Sequence, residues 1–142
     1  MRFGIRQFAA EDTDAVVELW EACGLTRPWN DPRLDIERKL AVQPELFLVA
    51  QDADAQAVIG SAMGGYDGHR GWIYYLASDP GRRGEGVGRA LLAEVEHRLR
   101  DMGCPKIQLM VRSENRGVIE YYDDLGYEEA DVVVQGKRLV AD

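Results

Sequence analysis

Trp72-Ile73-Tyr74-Tyr75-Leu76-Ala77, then Arg82-Arg83-Gly84-Glu85-Gly86-Val87-Gly88, then Arg89 to Met102: these three consecutive pieces decide how the chain is read. The first is an apolar, aromatic run of strand type. In the third, Leu91, Val95 and Leu99 continue a four-residue spacing that begins at Val87, and Leu92 and Met102 widen the stripe. That spacing predicts an amphipathic helix. The glycines and arginines therefore fall where a strand ends and a helix begins. A helix's first turn presents N–H groups without partners and a partial positive charge. Glycine lets a phosphate approach that backbone, and guanidinium groups add charge-assisted hydrogen bonds. Taken alone, Gly84, Gly86 and Gly88 also fit a plain surface turn. With their flanks, the segment from Arg82 to Arg89 predicts a pyrophosphate cradle.

Two common phosphate-binding motifs do not fit. A P-loop closes on Gly-Lys and a Ser or Thr, whereas Gly88 is followed by Arg89 and Ala90. A dinucleotide fold opens its domain with the glycine motif and places an acidic residue about 20 positions on. Here the motif lies past mid-chain, Glu114 and Glu120 come too late, and too little chain follows to complete such a fold.

Outward from this centre the pattern alternates regularly. Arg2 to Phe8 reads as a strand. Asp12 or Thr13 can cap a helix carrying Val16, Leu19, Trp20 and Cys23, ended by Gly24. After a loop through Trp29 and Asn30, Asp31-Pro32 opens a second helix. Phe47 to Gln51 and Val58 to Tyr66 read as strands, with a turn at Asp67 to Gly71 before the aromatic run. Beyond the long helix, Lys106 to Arg112 alternates as a strand, and Val118, Tyr121, Tyr122 and Leu125 mark a short helix. Tyr127 to Val134 and Arg138 to Val140 read as closing strands. The expected fold is α/β, with helices on a mixed sheet in a single domain, residues 1–142.

The chain has 142 residues, 46% hydrophobic and 30% charged, a balance that suits one globular domain and not a disordered segment. No apolar run approaches the ~20 residues of a membrane span, and Met1-Arg2-Phe3-Gly4 does not open like a signal peptide. Cys23 and Cys104 lack metal-ligand spacing, so a reduced cytoplasmic protein without a metal is expected. Cys104 reads as a small buried residue. The net charge of -8 leaves no basic stripe for nucleic acid. An acidic protein that holds an anion must gather its cations locally, as Arg82, Arg83 and Arg89 do. The remaining acidic excess either steers a cationic acceptor or serves solubility alone.

Arg83-x-x-Gly86-x-Gly88, after an aromatic strand and Pro80, resembles the acyl-CoA signature of the GNAT family of N-acetyltransferases. The resemblance continues through Leu109-Met110-Val111-x-x-x-Asn115 and Tyr121-Tyr122-x-x-x-Gly126-Tyr127. It covers about Trp72 to Tyr127 and is similar to small bacterial members. It implies a mostly antiparallel sheet of six to seven strands with about four helices. Two central parallel strands, ending near Ala77 and Arg112, would splay apart. A splay leaves backbone groups that need partners, which the amides of a pantetheine arm can supply.

The resemblance further implies acetyl-CoA as cosubstrate, transfer to a primary amine by direct attack, and Tyr122 as the proton donor to the departing thiolate. Cofactor contacts would come from Arg82, Arg83, Gly84, Glu85, Gly86, Val87, Gly88, Arg89, Asn115 and Tyr122, and from main-chain N–H groups near Leu76 and Ala77. Tyr121 is then the core residue of its helix, with Asn115 as the cap. Relatives that modify ribosomal-protein N-termini carry Glu where this chain has Met110, which cannot accept a proton, so no catalytic base is assigned. Ordered water near Tyr74 or Tyr75 is the alternative.

The acceptor is expected to be a small-molecule amine, a peptide N-terminus or a lysine, met by the N-terminal half. Trp29 either walls that pocket or covers the edge of the core, and Asp31, Asp35 and Glu37 read as a solvated helix face. Neither nucleic acid nor membrane is an expected partner, and the protein would be a monomer or homodimer. The competing reading is an acyl-CoA-binding sensor or regulatory partner with little catalysis.

Overall fold

A computed structural model describes residues 2–141. The backbone divides into two compact units, one ending at Gln108 and one covering Leu109–Ala141. In the first, strand β1 (Phe3–Gln7) leads through a 3-10 turn at Ala10–Asp12 into helix α1 (Thr13–Ala22) and then helix α2 (Pro32–Leu40). Strands β2 (Phe47–Asp52), β3 (Val58–Tyr66) and β4 (Gly71–Ser78) follow, then helix α3 (Val87–Asp101) and strand β5 (Ile107–Gln108). The sheet runs β1-β2-β3-β4-β5 in chain order. The first four strands pair antiparallel, and β5 joins β4 in parallel. Parallel neighbours need a crossover, which α3 supplies.

One face of this sheet is aromatic. Phe8 stacks on Phe47 with ring centroids 4.3 Å apart, and Trp20 stacks on Tyr75 at 3.7 Å. Val16, Leu19, Ile36, Val49 and Met63 complete that core. The helical spacing of Val16, Leu19 and Trp20 turns one side of α1 onto the strands, as expected from the sequence.

The opposite face carries glycine where α3 comes closest to it. A Cβ on Gly60 would stand 2.6 Å from Val87 Cγ1 and 2.8 Å from Leu91 Cδ1. On Gly64 it would meet Val95 at 2.8 Å, and on Gly71 it would meet Leu99 at 2.8 Å. The four-residue ladder Val87, Leu91, Val95 and Leu99 thus settles onto three glycines, letting the helix sit close to the strands. Met102 is the exception to the expected stripe. It is 40% exposed, because it follows the last turn of α3 rather than continuing its buried side.

β4 carries a bulge opposite the Ser61/Met63 step of β3. Tyr75 takes the left-handed conformation there, at φ 52°, which a residue with a Cβ adopts only when its surroundings hold it. Ser61 does part of the holding. Its hydroxyl accepts from Trp20 Nε1 at 2.8 Å and donates to the Tyr75 carbonyl at 2.8 Å.

In the second unit the regular element is helix α4 (Arg116–Asp124). Its buried residue is Ile119, while Tyr121 is exposed, so the expected core role of Tyr121 is corrected. The strand expected over Lys106 to Arg112 is reduced to Ile107–Gln108. The expected strands at Tyr127 to Val134 and Arg138 to Val140 are not formed among the described residues. Among the described residues the sheet has five strands, slightly fewer than six to seven, and the mixed, mostly antiparallel α/β fold is as expected. Val132, Val133 and Val134 have strand propensity but no recorded strand pairing, and propensity without a paired edge makes no strand.

Candidate active site

The turn between β4 and α3 is built from local hydrogen bonds. Asp79 accepts from Gly81 N–H through its side chain at 2.9 Å and from Arg82 N–H through its carbonyl at 2.8 Å. Its own N–H reaches back to the Ile59 carbonyl at 2.8 Å, fixing the turn to β3. Gly84 and Gly86 have φ of 87° and 79°, which glycine alone adopts without strain. A Cβ added at either would meet nothing within 4 Å, so the space above the loop is open.

Gly86 is the N-cap of α3 and has no side chain to cap with. The first intrahelical bond there runs from Ala90 N–H to the Gly86 carbonyl at 3.0 Å. The N–H groups of Val87, Gly88 and Arg89 therefore point out of the helix's open end. Helix α2 differs: its N-cap Asp31 accepts from Arg33 N–H at 2.9 Å. No acidic residue stands in the first turn of α3, where one would be favourable, while Arg89 does. Arg83 and Arg89 are exposed and make no ion pair among the described residues. The backbone donors and two unengaged guanidiniums fit an anionic group such as a pyrophosphate.

Arg82 is differently placed. One fork of its guanidinium is ion-paired with Asp52, and the other meets Glu85 Oε1 at 3.2 Å. Cys23 lies near the same turn, its thiol donating to the Ser78 carbonyl at 3.2 Å. Burial pushes that thiol up, against the opposing effects of Ser78 and the Arg83 charge, so it stays protonated.

Leu76 and Ala77 follow the bulge. Parallel pairing to β5 covers only Gly71 with Ile107 and Trp72 with Gln108, and beyond that β4 pairs with β3 alone among the described residues. Among the described residues the other edge of Ile73 to Ser78 has no strand partner, the condition under which main-chain donors and acceptors need partners from outside the sheet.

Several residues stand apart from their sequence expectation. Asp12 sits at the N-cap of α1, but its carboxylate accepts from both forks of Arg6, at 2.8 and 2.9 Å, and from Ala9 N–H. The Arg6 hydrogen bond, before all other influences, holds Asp12 below the usual carboxylate range. Asp35 is not part of a solvated face: it accepts from Tyr75 Oη at 2.6 Å and from Asn30 Nδ2 at 2.7 Å. Trp29 is 61% exposed, so most of its ring faces solvent. Cys104 is half-buried rather than buried, with its Sγ 3.4 Å from the Lys106 carbonyl.

Asn115 and Tyr122 belong to the second unit. Asn115 takes the N-cap position of α4 without a side-chain capping bond. Tyr122 lies edge-on to Tyr121 and Tyr127, at 5.3 and 5.6 Å. Burial, with a smaller effect from Tyr121, pushes its phenol up to about 12. Met110 is exposed and brings no carboxylate.

Sequence reasoning passed over Gly60, Ser61 and Asp52. Gly60 and Gly64 carried a signal, because glycine inside a strand marks a bulge or a close backbone approach. Ser61 and Asp52 carried none beyond their residue type.

The family model described as Acetyltransferase (GNAT) family matches residues 13–127. An acetyltransferase of Pectobacterium atrosepticum is 53% identical over 97% of this chain and 96% of its own length. Among solved structures, Ard1 from Thermoplasma volcanium superposes with TM-score 0.78 at 28% identity, over 89% of this chain and 82% of that one. A NatC complex bound to Gag peptide and CoA superposes with TM-score 0.76 at 22% identity, over 88% and 84%, and speaks for the fold. The chain belongs to the GNAT acetyltransferase family, and by class it is an acyltransferase.

Proposed function

We propose that this acyltransferase takes acetyl-CoA as its donor and moves the acetyl group to a primary amine of a small molecule or peptide. The observation that carries the reading is electrostatic. In a chain of net charge -8, two unengaged arginines stand at the uncapped, positive end of α3, where cations are unfavourable unless an anion joins them. The neighbour bound to CoA supports coenzyme A as that anion. Gly84 to Gly88, Arg83 and Arg89 hold the pyrophosphate, and the main chain at Leu76 and Ala77 aligns the pantetheine arm. Asn115 adds a contact to the cosubstrate, and no metal takes part.

Acetyl-CoA supplies an activated acyl group. The neutral amine nitrogen attacks the carbonyl carbon, the carbon–sulfur bond breaks, and the thiolate takes the phenolic proton of Tyr122. The amine's extra proton leaves to water, because Met110 offers no base, and a proton from water restores the Tyr122 phenol. A phenol pushed up to about 12 keeps its proton across the working range, which suits a donor. The enzyme works in the cytoplasm, as a monomer or homodimer.

Calorimetric titration with acetyl-CoA tests the donor, with saturable 1:1 binding expected. At 100 times the dissociation constant the ligand should also raise stability by about 2.7 kcal/mol. No binding by folded protein sinks the reading. Tyr122→Phe should lower kcat by about 10²-fold or more while CoA affinity stays within twofold. Since the raised pKa keeps Tyr122 protonated beyond pH 10, wild-type kcat should not fall near pH 10 through this group. Wild-type turnover by the Phe variant removes Tyr122 from the mechanism.

A further inference from the structure

We infer that Asp52 is a positioning residue for the CoA cradle, acting through Arg82. The inference rests on the donor reading above and assigns Arg82 a place distinct from Arg83 and Arg89. Asp52 ends β2, far from the glycine loop in sequence, and is only 6% exposed. Its Oδ1 accepts from the N–H groups of Asp54 at 2.7 Å and Ala55 at 2.9 Å, closing the turn between β2 and β3. Its Oδ2 takes the Arg82 guanidinium. Arg82 is thereby tied to a carboxylate that is itself fixed at two points, and its second fork reaches Glu85, the acidic residue of the glycine loop.

Two consequences follow from charge and geometry. With carboxylates on both forks, the Arg82 charge is compensated within the protein, so this arginine adds little net attraction for an arriving phosphate. Its bonds instead connect the rim of the sheet to the loop on both sides of Arg83 and Gly84. A charge-assisted, largely desolvated pair of this kind holds geometry more firmly than an exposed one. The glycines at φ 87° and 79° give the loop conformational freedom, and the Asp52–Arg82 strut removes part of it before ligand arrives.

Asp52→Asn is the variant of choice, since an amide oxygen can still accept from Asp54 and Ala55 while the charge facing Arg82 is gone. Titration with CoA should show about tenfold weaker binding for Asp52→Asn and a similar loss for Arg82→Ala. The double variant should be no weaker than Arg82→Ala alone, the non-additivity of residues acting as a unit. Salt separates the roles: screening should weaken CoA binding by the same factor in wild type and in the Asp52→Asn/Arg82→Ala double variant, which keeps the local net charge, whereas Arg83→Ala should reduce that factor.

Amide hydrogen exchange over Gly84 to Gly88 reads the strut without any ligand. Faster exchange confined to this loop in Asp52→Asn, with the core protected as in wild type, supports the inference even if wild type fails to bind CoA; that failure would overturn only the donor reading. Unchanged exchange together with wild-type CoA affinity in Asp52→Asn overturns the strut. So does a loss of CoA binding in the double variant accompanied by reduced salt sensitivity, which would make Arg82 a direct phosphate ligand.

Discussion

The two faces of the five-stranded sheet solve the same packing problem in opposite ways. Under α1 the strands carry large rings, Phe47 and Tyr75, and the helix answers with Trp20. Under α3 the strands carry glycine, and the helix brings the bulk with Val87, Leu91, Val95 and Leu99. The aromatic face tolerates a thick interlayer and uses directional bonds, Trp20 to Ser61 to Tyr75, to fix a strained bulge. The glycine face uses proximity alone. Each arrangement positions part of the candidate site. The first holds Tyr75, immediately before Leu76 and Ala77, and the second sets how close the open end of α3 lies to the sheet.

The largest effect should come from emptying the aromatic face. Trp20 is fully buried and stacks on both Phe47 and Tyr75. Trp20→Ala should cost about 3–5 kcal/mol in chemical denaturation, the usual range for removing a buried ring. A loss below about 1 kcal/mol would mean that this face is not the main store of stability.

Filling the glycine face should cost less but reach the cradle. In Gly60→Ala the new methyl collides with Val87 Cγ1 and Leu91 Cδ1 and lies 3.1 Å from the Ala77 carbonyl. Overpacking of this sort costs about 1–3 kcal/mol. Because Val87 is the first residue of α3, the strain falls on the cradle's N–H donors, and CoA affinity should drop along with stability. Gly60→Ala combined with Val87→Ala removes Cγ1 and should recover part of both losses. Recovery of neither would show that the close approach at Gly60 does not set the loop.

This contrast also explains what could be read from the sequence. The α3 ladder was legible because one helix face repeats every four residues, and the turn at its head because glycine and arginine cluster there. The β3 range Val58–Tyr66 fell where patterning put it, while α3 starts at Val87, two residues before the Arg89 to Met102 stretch read as helix. What escaped depends on partners distant in the chain. Asp12 fits an N-cap by type, yet Arg6 on β1 takes its carboxylate. Asp35 looks solvated on a helical wheel, yet the bulge at Tyr75 turns a phenol onto it. The closing strands failed for the same reason in reverse: a β-branched run such as Val132 to Val134 has the propensity, but pairing is a property of two segments and one sequence window holds only one.

The smallest of these effects is the most specific to the bulge. Ser61 is fully buried between the indole N–H of Trp20 and the carbonyl of Tyr75, at 2.8 Å to each. Ser61→Ala keeps nearly the same volume and leaves both groups without this partner in the core, so about 1–2 kcal/mol should be lost by denaturant unfolding. Ser61→Ala on top of Trp20→Phe should then lose less than the sum of the two, because the indole donor is already gone. Strict additivity would mean that Ser61 acts on Tyr75 independently of Trp20. The aromatic face would then hold the bulge by stacking rather than through a chain of hydrogen bonds.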